Sequence, residues 1–374
     1  MSDLEQRRTP SPIRSTSTAD AAYLAELRDL VLLHARAQGI SPAECRQVLA
    51  GITSVDQDGP GSWSDTWLTA AEERQESLAA CRRNILARFP YPATPGQRLA
   101  VNRCVDTFDA WRTRHGGIER LVLPVLGEQV PVWASADDQR ARPLLLVMGG
   151  IVSVKEQWAQ FLLAARRLGM HVVVAEMPGV GENPLGYDLH SWRMLPALLD
   201  AVSAGRKVTE CYGVLLSFSG HLGLRWASHD PRLRGMVTVG APVAALFTDR
   251  TWWPHVPMTT KRTLAHLTGW PVAELPDRLA EFALSPAELA EIDIPVHYVL
   301  SGRDEIVPAS ESRLLADTLP QLSTVEFDDV HGSPAHLTDT KLWIIRALMQ
   351  MHGAPRPVTA ALGGLLRLRR AIRR

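Results

Sequence analysis

The stretch Val208-Thr209-Glu210-Cys211-Tyr212-Gly213-Val214-Leu215-Leu216-Ser217-Phe218-Ser219-Gly220 changes its local period in mid-run. Up to Leu216 it reads as a strand that becomes fully apolar towards its end; from Phe218 to about residue 229 it reads as a helix. The same alternation extends to both sides. Upstream, Leu144–Met148 is an unbroken apolar run, followed by a helix over 155–168, a strand His171–Ala175 and a helix over 190–204. Downstream come the strands Met236–Val239, Val296–Leu300 and Thr324–Phe327, with helices over 309–318 and 336–352. Buried apolar strands alternating with helices predict a doubly wound, mostly parallel α/β sheet. Residues from about 244 to 292 interrupt the series with no clear strand, as an inserted lid would.

Before the sheet the pattern is helical. Leu24, Leu27, Val31 and His34 fall on one face of a first helix. Ser41-Pro42-Ala43-Glu44 and Thr94-Pro95-Gly96-Gln97 are helix starts, each with a capping hydroxyl and a proline in the first turn. Leu99, Cys104, Phe108 and Trp111 continue the second of these. Leu121, Leu123 and Val125, a turn at Gly127-Glu128 and then Gln129–Trp133 read as a hairpin. The expected organisation is a disordered tail over 1–20, a helical domain over 21–116, an α/β catalytic unit over 117–352 carrying the insertion, and a basic tail over 353–374. That tail places Arg367, Arg369, Arg370, Arg373 and Arg374 among leucines and reads as a solvated terminus.

Bulk properties narrow the function. The 374 residues carry 40 Lys+Arg against 40 Asp+Glu, so the chain lacks the excess of basic charge that nucleic-acid binding requires. Cys45, Cys81, Cys104 and Cys211 form no CxxC pair, which argues against a disulfide framework and a zinc knuckle. There is no GxGxxG after a strand, no GxxxxGK[ST] and no HExxH, so no cofactor and no metal is expected. No apolar stretch is long enough to span a membrane, and residues 1–20 contain no signal-like apolar run. A cytoplasmic protein acting on a small-molecule substrate is the expectation.

Open α/β sheets build their sites at the carboxyl ends of strands. Ser217 stands at such an end, where a sharp strand-to-helix turn would present its hydroxyl. Ser219 is a rival, but His221 two positions later would crowd its turn. Ser301-Gly302-Arg303-Asp304-Glu305 follows the next-to-last strand and offers Asp304, with Glu305 as competitor, to orient an imidazole. Phe327-Asp328-Asp329-Val330-His331 follows the last strand, and His331 is preferred over His336, which already lies in the next helix. The order Ser217, Asp304, His331 suits nucleophile, acid and base. Backbone N–H groups of Phe218 and of Gly150 or Ile151 would hold an oxyanion. In the insertion, Phe247, Trp252, Trp253 and Trp270 could line an apolar pocket or pack the lid, and Asp249 could be an additional pocket acid.

Taken together these pieces resemble the FrsA-like α/β hydrolases, over roughly Ser62 to His352. The most specific element is Gly149-Gly150-Ile151-Val152-Ser153-Val154-Lys155-Glu156, similar to the family's GGxDSxKE. The helical segment Trp63–Arg112, the hairpin Ile118–Ala134 and Pro178–Gly181 also match. Val152 stands where the family carries aspartate, and Leu215 where the elbow glycine is usual. The resemblance implies an α/β-hydrolase fold, a helical domain over the pocket, a homodimer, and hydrolysis of small-molecule esters or of C–C bonds beside carbonyls, in polyketide or other secondary metabolism. Two other readings stay open. One is a lyase on the same fold that eliminates an acyloxy group such as acetate. The other is a binding protein that has kept the fold, against which the complete Ser, Asp and His set argues.

Overall fold

Capping signals place the first helices of this computed structural model, which describes residues 18–373. Ser41 Oγ accepts the Glu44 N–H, and Thr94 Oγ1 accepts the Gln97 N–H while the Gln97 side chain accepts the Thr94 N–H. Each bond satisfies a donor that a first turn leaves without an intrahelical acceptor. Five helices result: α1 (Thr18–Ala37), α2 (Pro42–Ala50), α3 (Trp63–Glu72), α4 (Ser77–Ala87) and α5 (Pro95–His115). Of the expected disordered stretch, residues 1–17 lie outside the described residues, and residues 18–20 open α1. The buried face of α1 is Tyr23, Leu27, Val31 and Ala35, and the expected Leu24 and His34 lie on the same face and are half-buried. The helix serves two neighbours at once, packing on α2 and α4 and on a helix of the later insertion.

The sheet has eight strands among the described residues: β1 (Ile118–Val125), β2 (Glu128–Ser135), β3 (Arg142–Met148), β4 (His171–Ala175), β5 (Val208–Leu215), β6 (Leu233–Val239), β7 (Val296–Ser301) and β8 (Leu322–Phe327). Their order is β1-β2-β4-β3-β5-β6-β7-β8. β2 runs antiparallel to β1 and β4, and the remaining pairs are parallel. This is the doubly wound, mostly parallel sheet that the alternation predicts. The hairpin turn falls on Leu126-Gly127, at φ 51° and 89°, the double left-handed geometry whose twist matches a two-residue hairpin. Glu128, expected in the turn, pairs instead with Val125.

Helices α6 (Ala159–Leu168), α7 (Met194–Gly205) and α8 (Phe218–Ala227) follow their strands. The insertion holds α9 (Ala245–Thr248), α10 (Met258–Thr268), α11 (Leu275–Arg278) and α12 (Pro286–Ala290) and, as described, no strand. Helices α13 (Ser310–Thr318) and α14 (Leu337–Met351) complete the sheet's cover. The basic C-terminus is a helix up to Arg373 instead of a frayed tail; the side chains of Arg370 and Arg373, and Arg374 itself, lie outside the described residues. Residues Arg356–Arg373 form α15, which packs on α14 with Leu366 buried and Arg369 Nε 2.5 Å from Asp339 Oδ1. Leu366 gains an apolar partner in α14 that the local pattern could not reveal, while Leu365 and Leu368 stay exposed.

One core surrounds the sheet and a second fills the helical segment, and Val152 packs against both. No described helix is long and apolar enough to cross a membrane.

Candidate active site

β5 ends at Leu215 and α8 begins at Phe218, so the chain turns within two residues. Ser217 takes φ 56° and ψ −127°, a conformation that costs a residue with a Cβ of order 1–3 kcal/mol and persists only where its surroundings enforce it. Neighbouring strands supply the enforcement: Ser217 N–H donates to Val239 O at 2.9 Å and Leu216 N–H to Met148 O at 3.0 Å. Gly150 lies against the same turn; a Cβ there would sit 2.9 Å from Ser217 Cβ. The bulk of Leu215 does not disturb the turn, because its side chain points back into the space left by Gly213 and Gly223 and is fully buried. Ser219 is turned away, with its Oγ donating to Met148 O at 2.9 Å in a fully buried position.

Three side chains from three strand ends meet in a line. Ser217 Oγ is 2.9 Å from His331 Nε2, and His331 Nδ1 is 2.9 Å from Asp304 Oδ2. Asp304 Oδ1 also accepts the N–H groups of Ile306 at 2.9 Å and Val307 at 2.8 Å, which orients the carboxylate from behind. Glu305, the competing acid, accepts the His331 backbone N–H at 3.0 Å and so places the residue instead of its ring. His336 is engaged elsewhere, with Nδ1 2.9 Å from Asp329 Oδ2. Asp329 organises the loop by accepting the Val330 and Ala335 N–H groups. Burial pushes the His331 pKa down, but the charge and hydrogen bond of Asp304, with the charge of Glu305, outweigh it and hold the pKa above the ordinary 6.5. An imidazole so placed can take a proton from the hydroxyl it touches.

Phe218 N–H lies in the first turn of α8, where no intrahelical acceptor exists, and the Gly150-Ile151 amides follow β3 beside Ser217. Behind the β3 loop is a buried ionic cluster. Lys155 Nζ lies 3.1 Å from Glu176 Oε2, 2.8 Å from Glu182 Oε2 and 3.2 Å from Glu156 Oε1, and Glu156 Oε1 accepts Trp133 Nε1–H at 2.7 Å. Burial pushes the Lys155 pKa down, but the three carboxylates reverse the sign and keep the ammonium charged. Burial pushes the Glu176 carboxyl up to about 7, against the pull of Lys155. Arg88, at the end of α4, donates to Val152 O and, at 3.0 Å, to Pro90 O. The helical segment thereby holds the carbonyl of the residue that replaces the family's aspartate.

The insertion residues separate. Phe247 is buried under the turn, 4.9 Å from the His221 ring and 6.5 Å from that of Phe218. Trp252 donates from Nε1 to Ile306 O at 2.9 Å and braces the Asp304 loop. Trp253 lies 5.8 Å from Lys261 Nζ, and Trp270 stands edge-on to Phe282. Asp249, expected as a pocket acid, caps a half-exposed turn: its Oδ1 accepts from Thr251 N, Thr251 Oγ1 and Trp252 N. A short Asp-x-Thr stretch favours that local use of a carboxylate. The insertion is tied to the helical segment where Glu26 accepts the Met258 and Thr259 N–H groups at 3.0 and 2.6 Å and where Tyr91 stacks on His266.

The sequence reading missed Gly240, whose φ of 60° and lack of a side chain leave room for the imidazole. A Cβ there would sit 2.7 Å from His331 Cε1. Its position just past β6 was the available signal, since the other site residues also follow strand ends.

No family model and no curated protein matches the chain. Among solved structures it is similar to wild-type AbyA5, at 47% identity over 92% of this chain and 99% of that one, with a TM-score of 0.87. A second AbyA5 structure matches at 47% identity over 85% of this chain and 97% of its own, with a TM-score of 0.80. A 2,6-dihydroxy-pseudo-oxynicotine hydrolase shares the fold at 20% identity over 85% of this chain and 96% of that one, with a TM-score of 0.66.

Proposed function

Because the chain belongs to the FrsA-like α/β-hydrolase family, we propose that it is a serine hydrolase of small-molecule esters or of C–C bonds beside a carbonyl. The observation that carries this reading is the hydrogen-bonded line from Ser217 through His331 to Asp304, with Ser217 held in a strained turn. In this reading Ser217 Oγ attacks the substrate carbonyl carbon as its proton passes to His331 Nε2. Asp304 holds the ring tautomer and stabilises the imidazolium. The oxyanion takes hydrogen bonds from the N–H groups of Phe218 and of Gly150 or Ile151. Collapse breaks the scissile bond, His331 returns the proton to the leaving group, and water then releases the acyl group from Ser217. No step calls on a cofactor or metal. We also infer a homodimer from the family and propose a cytoplasmic setting; light scattering checks the first.

Intact mass after treatment with an alkyl fluorophosphonate tests the reading. Ser217 should gain one phosphonyl group, and His331→Ala should gain none. Labelling at Ser219 would overturn the assignment. On the natural substrate, Ser217→Ala should lose on the order of 10⁶ in rate, as in a well-studied serine protease. Substantial turnover by Ser217→Ala that is lost in His331→Ala would instead favour elimination of an acyloxy group with His331 as base.

A further inference from the structure

α15 has an inner face and an outer one. Thr359, Gly363 and Leu366 form the inner face against α14. Thr359 O accepts Arg346 Nε–H at 3.2 Å, and a Cβ on Gly363 would sit 3.2 Å from the same nitrogen. The outer face is Val358, Ala361, Leu365 and Leu368. Spacings of three, four and three residues set these four in one stripe along the helix. Val358 is 42% exposed, Leu365 44% and Leu368 59%, and Ala361 is exposed beside them. Nine large apolar side chains are this exposed among the described residues; three of them share α15 and a fourth, Ile345, lies on α14. An apolar stripe concentrated in this way marks a surface that meets something other than water.

Charge is concentrated in the same place. Residues 337–374 hold eight basic residues and one acid, in a chain whose total charge is balanced. That acid, Asp339, is buried and paired with Arg369, while Arg356 and Arg367 are exposed. Several occupants fail to match this surface. A second copy would set the basic helix against its own like charge. Residues 1–17 carry three arginines against two acids and supply no opposite charge. A nucleic acid would engage the arginines and leave the leucines in water. A protein groove takes up the apolar face of a helix from both flanks, whereas α14 already covers the opposite side of this one. A flat, negatively charged bilayer matches both features, since acyl chains can cover the stripe while phosphates meet the arginines.

We propose that α15 docks the protein on an anionic membrane surface. The helix lies in the plane of the headgroups without crossing the bilayer, and Val358, Leu365 and Leu368 enter the acyl boundary. Docking of this kind is independent of the bond that Ser217 attacks.

Co-sedimentation of the full chain with lipid vesicles tests it, one set of phosphatidylcholine alone and the other of phosphatidylcholine mixed with phosphatidylglycerol. The protein should bind the mixed vesicles and leave the neutral ones, and added salt should weaken the binding. Leu365→Gln with Leu368→Gln keeps residues that favour a helix and should weaken binding about tenfold, roughly the worth of one leucine side chain taken out of water. Arg356→Gln with Arg367→Gln should weaken it about thirtyfold through the lost attraction to phosphates. Both pairs change exposed positions, so the urea midpoint should stay at the parent value. No binding to the mixed vesicles, equal binding to both sets, or binding that survives the leucine changes overturns the assignment. Light scattering without lipid supplies a further check. Equal particle mass for the parent and the leucine variant is expected, and a heavier parent would mean that the stripe joins two copies of the chain and overturns the membrane assignment.

Discussion

The loops after β3 and after β8 flank Ser217 from two sides, and they are fixed by opposite means. The β3 loop is pinned by full charges taken out of water: Lys155 among Glu156, Glu176 and Glu182, with the Arg88 guanidinium on Val152 O. The β8 loop is pinned by backbone N–H groups on carboxylates: Asp329 holds Val330 and Ala335, and Glu305 holds His331. The contrast follows from what each loop contributes to the proposed reaction. Amides at Gly150 and Ile151 need a fixed position and never change protonation, so buried ions can stand behind them at no cost to the chemistry. His331 must gain and lose a proton, and a buried cation beside it would oppose the gain. Carboxylates that hold the loop by its N–H groups fix it and favour the imidazolium together.

The largest expected effect lies on the β8 side. Asp304→Asn keeps the shape of the acid but inverts the hydrogen-bond polarity at His331 Nδ1, and kcat should fall by about 10⁴ with little change in the urea midpoint. A variant within tenfold of the parent would remove Asp304 from the reaction and leave the two loops alike.

The next effect lies on the β3 side and is read in stability. Lys155→Met leaves Glu156 and Glu176 buried without their cation and should cost about 3–5 kcal/mol in urea denaturation. An unchanged midpoint would mean that the loop is held by something other than its ions.

The smallest effect is a shift along the pH axis. His331 acts as a base when neutral, and its pKa lies above the ordinary 6.5, so kcat/KM should rise as pH climbs through that raised value. The same shift stabilises the fold fully below 6.5 and is lost as pH rises through the folded-state pKa. Glu305→Gln removes one charge that favours the imidazolium, so the acid limb of kcat/KM should move to lower pH. A limb that does not move would confine Glu305 to holding the backbone.

The comparison of the two loops also marks what the sequence could disclose. The strand–helix alternation and the Ser217, Asp304, His331 order are short-range signals, each a strand end with its following loop, and they were readable. Lys155 and Glu156 were visible as a motif, but their partners Glu176 and Glu182 are brought near only by the parallel pairing of β3 with β4. Arg88 and Val152 lie 64 positions apart, and nothing local joins them. The face of α1 was legible too, since Leu27 and Val31 are buried there and Leu24 and His34 half-buried beside them. Asp249 illustrates the converse. An acid near aromatic residues suggested a pocket, while the threonine two positions on had already claimed its carboxylate.

Leu215 has a historical consequence. Its side chain fills the space beside two glycines, since a Cβ on Gly223 would lie 2.5 Å from Leu215 Cδ1 and one on Gly213 would lie 3.1 Å from it. A larger residue at 223 would crowd the leucine, one at 213 would press on it, and glycine at 215 would open a hole beneath the serine turn. The three positions are therefore expected to change together among relatives of this chain, and a homologue carrying leucine at 215 with alanine at 223 should be missing from its descent.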